Sequence, residues 1–104
     1  MSTDDDVRRL AVALPGVTEK PSYGMPAFYV GGRPFARLHE EPGVLVCWVR
    51  DLGEREALLQ SAPEKYFTTD HYAGHASVLA RLDHVDEAEL SELLQEAWAA
   101  RRHR

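Results

Sequence analysis

The stretch AFYVGGRPFARLHEEPGVLVCWVR, residues 27–50, decides the fold. Two apolar segments, AFYV and FARLHE, flank the pair Gly31 and Gly32. Adjacent glycines supply the positive φ that a tight hairpin turn needs, so the pattern predicts two antiparallel strands. Glu41, Pro42 and Gly43 make the next turn. The following VLVCWVR is apolar at both parities, which predicts a strand at the centre of the sheet. Alternation then sorts the side chains between two faces. Phe35, Arg37 and His39 are expected on one face, with Ala36 and Leu38 on the other. Val44, Val46, Trp48 and Arg50 share a parity opposite Leu45, Cys47 and Val49.

On the C-terminal side, DLGEREALLQSAP reads as a short helix. Asp51 and Glu54 have capping-box spacing, Leu58 and Leu59 point inward, and Pro63 follows the end. KYFTTD and SVLARLD read as strands; in the second, Leu79 and Arg81 oppose Val78, Ala80 and Leu82. Asp86 and Glu89 form another box, and Leu90, Leu93, Leu94, Ala97 and Trp98 make a helical stripe. Arg101, Arg102 and Arg104 suit the negative end of that helix. On the N-terminal side, Thr3 or Ser2 caps a helix whose first turn holds Asp4, Asp5 and Asp6. Val7, Leu10, Ala11 and Leu14 form its apolar stripe, and Pro15 with Gly16 ends it. VTEKPSYGMP is rich in turn formers and reads as a loop.

The order is therefore α-β-β-β-α-β-β-α. Short connections make a mainly antiparallel sheet of about five strands. The N- and C-terminal helices should cover one face of a two-layer α+β sandwich, leaving the other face to water or a partner.

The 104 residues suffice for a single domain spanning 1–104. At 44% apolar and 28% charged, the chain has the composition of a folded protein. Its net charge of −5 works against bulk attraction to phosphate backbones, although a local basic patch is compatible with it. One cysteine, Cys47, rules out an intrachain disulfide and fits a reducing, cytoplasmic setting. The acidic start MSTDDDVRRL has no apolar signal core, and no apolar run is long enough for a membrane span.

Two surfaces carry candidate chemistry. Arginines gathering with Trp48 and Phe35 on the uncovered face would suit nucleic acid or another anion, or simply form the solvated side of the fold. The second is the segment TTDHYAGHASV, residues 68–78. His71 and His75 have the spacing of two ligands on a helix face, but Gly74 and the flanking threonines disfavour a helix. A zinc site needs three or four ligands, and His39, His84 and Cys47 show no supporting spacing. Cys47 sits in an apolar strand, where a thiol is inert packing. The segment reads as a turn whose His71 and Tyr72 serve a pocket as donors, acceptors and stacking groups. Tyr23 and Phe28 would line the same cleft, with Trp48 beside them.

In order and spacing, ALPGVTEKPSYGMPAFYVGGRPFARL, EREALLQSAPEKYF, HYAGHASVLARLD and ELSELLQEAWAAR resemble the MmcQ/YjbR-like family. These are small bacterial domains with a frataxin-like (CyaY-like) α+β fold, and the resemblance covers nearly the whole chain. It implies the fold just derived. Family members are commonly labelled DNA-binding, which here implies wings at residues 31–33 and 41–43. Phosphate contacts would come from Arg33, Arg37, Arg50 and Arg81, against repulsion from Glu40 and Glu41. The frataxin likeness suggests iron at an acidic first helix, where this chain offers Asp4 to Asp6 and a distant Glu19. No catalytic residue set comes with the family. The expectation is a cytoplasmic, non-enzymatic binding domain without cofactor or metal site. It would bind double-stranded DNA through those arginines. The alternative is a small molecule or protein bound at Tyr23, Phe28, Trp48, His71 and Tyr72.

Overall fold

The first two hairpins of the sheet each turn on two consecutive residues with positive φ. Tyr23 and Gly24 (53° and 79°) join β1 (Val17–Ser22) to β2 (Met25–Val30). Gly31 and Gly32 (59° and 80°) join β2 to β3 (Arg33–Leu38). Two left-handed residues in a row give a turn whose twist matches that of the strands it connects. The register closes at Ser22 opposite Met25 and at Val30 opposite Arg33. The remaining elements of the computed structural model are α1 (Asp4–Val12), β4 (Val44–Trp48), α2 (Leu52–Ser61), β5 (Tyr66–Phe67), β6 (Ser77–Arg81) and α3 (Glu87–Arg102). Short 3-10 turns stand at Asp70–Tyr72 and Leu82–His84. The structure describes residues 1–72 and 74–102. The dipole role expected of Arg104 lies outside them.

The sheet is antiparallel throughout, in the order β1-β2-β3-β4-β6-β5. It has six strands rather than about five, because VTEKPS pairs residue for residue with β2 instead of forming a loop. That strand lies at the sheet edge, with its four central residues exposed. An edge strand tolerates Pro21 and polar side chains, so it lacks the apolar alternation that marks a strand in sequence.

α1 and α3 pack on one face, as the two stripes require. Val7 and Ala11 from α1 and Leu90, Leu93, Leu94 and Ala97 from α3 meet Leu45, Cys47, Val78 and Ala80 from the sheet. The three helix starts are fixed by side chains. Thr3 and Asp6 form a reciprocal capping box, Asp51 accepts from Glu54 N–H at 2.8 Å, and Asp86 and Glu89 cap each other's N–H groups. Ser2 Oγ donates to Val85 C=O at 2.9 Å, tying the first residues to the loop before α3, and Trp98 Nε1 donates to Pro15 C=O at 2.9 Å, tying α3 to the turn after α1.

The parity expected for β4 and β6 holds: Val44, Val46 and Leu79 form a second, smaller cluster on the open face with Trp48, Phe67 and Tyr72. β3 departs from it. Phe28 pairs with Ala36, but the next residue, Tyr29, pairs with Pro34. Phe35 is the extra residue of a β-bulge, and a bulge re-aims the side chains around it. Phe35 and Ala36 therefore both enter the helix-covered core. Phe35 is not on the open face with Arg37. Phe28 is fully buried in the same core, so it does not line a cleft with Tyr23 and Tyr72.

Among the described residues no helix is long and apolar enough to cross a membrane.

Candidate functional site

Between β5 and β6 the described residues of TTDHYAGHASV turn back on themselves, and its Ser77 and Val78 begin β6. Tyr72 N–H donates to Thr69 C=O at 2.9 Å, and His75 N–H donates to Tyr72 C=O at 3.0 Å. From α2, Arg55 Nη1 reaches across to the carbonyls of Tyr72 (3.4 Å) and His75 (3.1 Å). The turn lays the Tyr72 ring on the open face, edge-on to His71 with centroids 4.9 Å apart. His39 is 6.3 Å away and His75 6.5 Å.

Beneath this ring group lies Arg37, whose side chain is only 6% exposed. Its Nε donates to Ser22 C=O at 3.1 Å, Nη1 to Tyr72 Oη at 3.1 Å, and Nη2 to Glu40 Oε2 at 2.6 Å. A planar guanidinium can serve three acceptors in different directions at once, which an ammonium on a single stem does less well. The carboxyl of Glu40 is held below the usual carboxylate range, first by its own backbone N–H and then by Arg37. Glu40 was expected to repel phosphate; here it also balances Arg37.

These groups enclose a cleft of about 610 Å³. Its walls are Tyr23, His39, Trp48, His71, Tyr72 and His75. Ser22, Pro34, Arg37, Glu40, Thr69 and Ser77 complete the lining. Arg101 from the end of α3 approaches from one side, with Nε on Pro34 C=O at 2.9 Å and its guanidinium 5.6 Å from the Trp48 ring. At the floor, Ser77 is completely buried, and its hydroxyl has no hydrogen-bond partner among the described residues.

Of the residues expected in the cleft, Tyr23, Trp48, His71 and Tyr72 come together and Phe28 does not. The four expected arginines stand in different settings. Arg37 lies under the cleft, and Arg81 stacks on the Phe67 ring at 4.2 Å. Arg33 begins β3 beside the glycine turn. Arg50 lies past the end of β4, beside Asp51 (3.7 Å) and Glu54 (3.5 Å). The acids near the first helix are engaged by arginines: Arg8 with Glu19 at 2.9 Å and Arg9 with Asp6 at 3.1 Å. Among the described residues no three His, Cys, Asp or Glu side chains converge to hold a metal ion. Cys47 faces the helices, and burial pushes its thiol well up from the ordinary value.

The YjbR family model matches residues 12–100, almost the whole of this fold. The chain belongs to the YjbR family. Uncharacterized proteins of Mycobacterium tuberculosis and Mycobacterium bovis are 31% identical to it over 112 aligned residues, spanning 94% of this chain and 87% of theirs. The crystal structure of the Deinococcus radiodurans protein DR2400, a DUF419 domain, superposes with a TM-score of 0.78 at 27% identity. It covers 94% of this chain and 77% of that one.

In this YjbR-family chain, sequence reasoning missed Arg55, Ser77 and Arg101 as parts of the site. Arg55 is one arginine on an ordinary helix, and its role depends on how β5 and β6 fold back. Ser77 begins a strand whose pairing, opposite Trp48, puts it at the cleft floor. Neither placement leaves a local pattern in the sequence.

Proposed function

We propose that this YjbR-family chain is a non-enzymatic binding domain that takes a small, flat ligand in the open-face cleft. The observation that carries the proposal is the cleft itself. It falls in the usual size range of small-molecule pockets, about 300–1,000 Å³, with aromatic walls and a few inward polar groups. The aromatic rings in its lining favour a planar guest, because stacking and edge contacts both suit a ring or conjugated plane. The thiol is buried in the opposite core, away from the cleft, which supports binding rather than thiol chemistry.

DNA binding through the wing hairpins is the second reading, and the arrangement supports it less. Arg37 is already committed to three acceptors and Arg50 lies against two carboxylates. With a net charge of −5, few cations remain to displace counterions from a duplex.

The test is a planar-fragment screen by thermal shift on wild type, Trp48→Ala and Tyr72→Ala. The cleft reading expects fragments that stabilise wild type and lose that effect in both variants. Fragments that stabilise all three proteins equally would place binding elsewhere.

A further inference from the structure

Resting on the cleft reading, we infer that His39 is a proton switch for that site: the cleft holds its planar guest while the imidazole is neutral and releases it when the ring is charged. His39 Nδ1 accepts from Glu41 N–H at 3.0 Å, a side-chain-to-backbone bond two residues along the chain, so the neutral ring carries its proton on Nε2. Nε2 stands 3.9 Å from Glu40 Oε1, and the other oxygen of that carboxylate accepts from Arg37 Nη2 at 2.6 Å. Arg37 in turn donates to Tyr72 Oη and to Ser22 C=O, both at 3.1 Å. One chain of polar contacts therefore runs from the loop after β3 to both sides of the cleft. His39 is its one member of a residue type that gains a charge between about pH 5 and 8.

A proton on Nδ1 turns that nitrogen from acceptor to donor, so it can no longer face Glu41 N–H and the ring must turn. Glu40 stays ionised across this range, its carboxyl held below the usual carboxylate range, and it attracts the imidazolium in competition with Arg37. A looser Glu40 re-aims the guanidinium beneath Tyr72, and the cleft changes shape. The bond to Glu41 N–H is exposed, so that donor passes to water while the new ion pair offsets the loss. The exchange reshapes the cleft and leaves the fold intact. Around His39, the turn before β6 presents Asp70, His71, His75 and Tyr72, whose ring is 6.3 Å away. Tyr23 faces it from the β1–β2 turn. Arg81 on β6 pairs with Val44, whose carbonyl accepts from His39 N–H at 2.9 Å. Arg55 on α2 holds the turn carbonyls and pairs with Glu56. His71 and His75 can gain charge too but stand outside the chain from His39 to Arg37, and the test separates them.

The Glu41 amide and the Arg37 Nε–H are followed by heteronuclear NMR from about pH 8 to about pH 5, first without ligand. In wild type both should shift with one shared midpoint. Asparagine keeps an acceptor for an N–H two residues on and takes no charge, so in His39→Asn both should stay still. In the double variant His71→Gln/His75→Gln both should shift as in wild type. The full chain is then titrated with 2-naphthamide, a planar probe without a titrating group in this range, at about pH 7.5 and about pH 5.5. Wild type should bind severalfold more weakly at the lower pH, and His39→Asn should lose most of that difference. Equal wild-type affinity at both pH values, a decline that persists in His39→Asn, or a Glu41 amide that moves without Arg37 overturns the switch and leaves the cleft as a site. Shifts of Glu41 and Arg37 as expected, with no naphthamide binding at either pH, overturn the cleft reading and with it the release of a guest.

Discussion

Arg37 on β3 and Tyr72 in the turn before β6 are joined by a 3.1 Å hydrogen bond from Nη1 to the phenolic oxygen. This contact ties the ring cluster of the turn to the middle of the sheet, and with it the two sides of the cleft. Removing the phenolic oxygen leaves a nearly buried guanidinium N–H without its acceptor. Tyr72→Phe should therefore cost about 1–2 kcal/mol, read as a lower denaturant midpoint at unchanged slope. A midpoint equal to wild type would mean the bond contributes nothing to the fold.

Tyr23 is the one non-glycine residue described with positive φ, and it is 90% exposed. Asparagine tolerates the left-handed region better than tyrosine and is common in this turn. Tyr23→Asn should stabilise the protein by roughly 0.5–1 kcal/mol and weaken fragment binding in the cleft. A variant both less stable and equally good at binding would remove the case for strain kept for function.

The bulge at Phe35 predicts unequal costs for two aromatic residues that strand alternation alone places on one face. Phe35→Ala opens a hole in the helix-covered core and should cost about 3–5 kcal/mol. Trp48→Ala, on the half-open cleft face, should cost about half as much or less. Chemical denaturation of both variants compares them directly, and equal losses would contradict the bulge.

How much of this was legible before folding follows from which forces are local. Helix caps are local, so Asp51 with Glu54 and Asp86 with Glu89 could be read from spacing alone. The Gly31–Gly32 hairpin was legible because glycine advertises positive φ; the Tyr23–Gly24 hairpin was hidden because a tyrosine fills the first position. Strand parity worked for β4 and β6, which pair regularly, and failed at Phe35, where one extra residue shifts the register. In the cleft, Trp48, His71 and Tyr72 announced themselves by residue type. Arg55, Ser77 and Arg101 did not, because their roles come from long-range pairing.

Acid should destabilise the fold in a specific window. The carboxyls of Asp6 and Glu89 are held below their ordinary values, chiefly by Arg9 and Lys65 respectively. A depressed carboxyl contributes stability above its unfolded value, near 4, and loses it as pH falls through the folded value. Stability should be flat from neutrality to about pH 5 and decline below that. Replacing Lys65 with Met should make the decline shallower, as followed by thermal unfolding against pH. An unchanged slope would assign acid sensitivity to other carboxyls.

The central claim is that the cleft, rather than an arginine surface, is where this protein binds. Heteronuclear NMR tests it most directly. The protein is titrated with a set of planar fragments and separately with a short mixed-sequence duplex, each at low and at physiological salt. The account predicts fragment-induced shifts at the Trp48 indole and the Ser77 amide that barely change with salt, and no duplex binding at physiological salt. Duplex-induced shifts around Arg33 and Arg81 that persist at physiological salt, with Trp48 unmoved by every fragment, would contradict it.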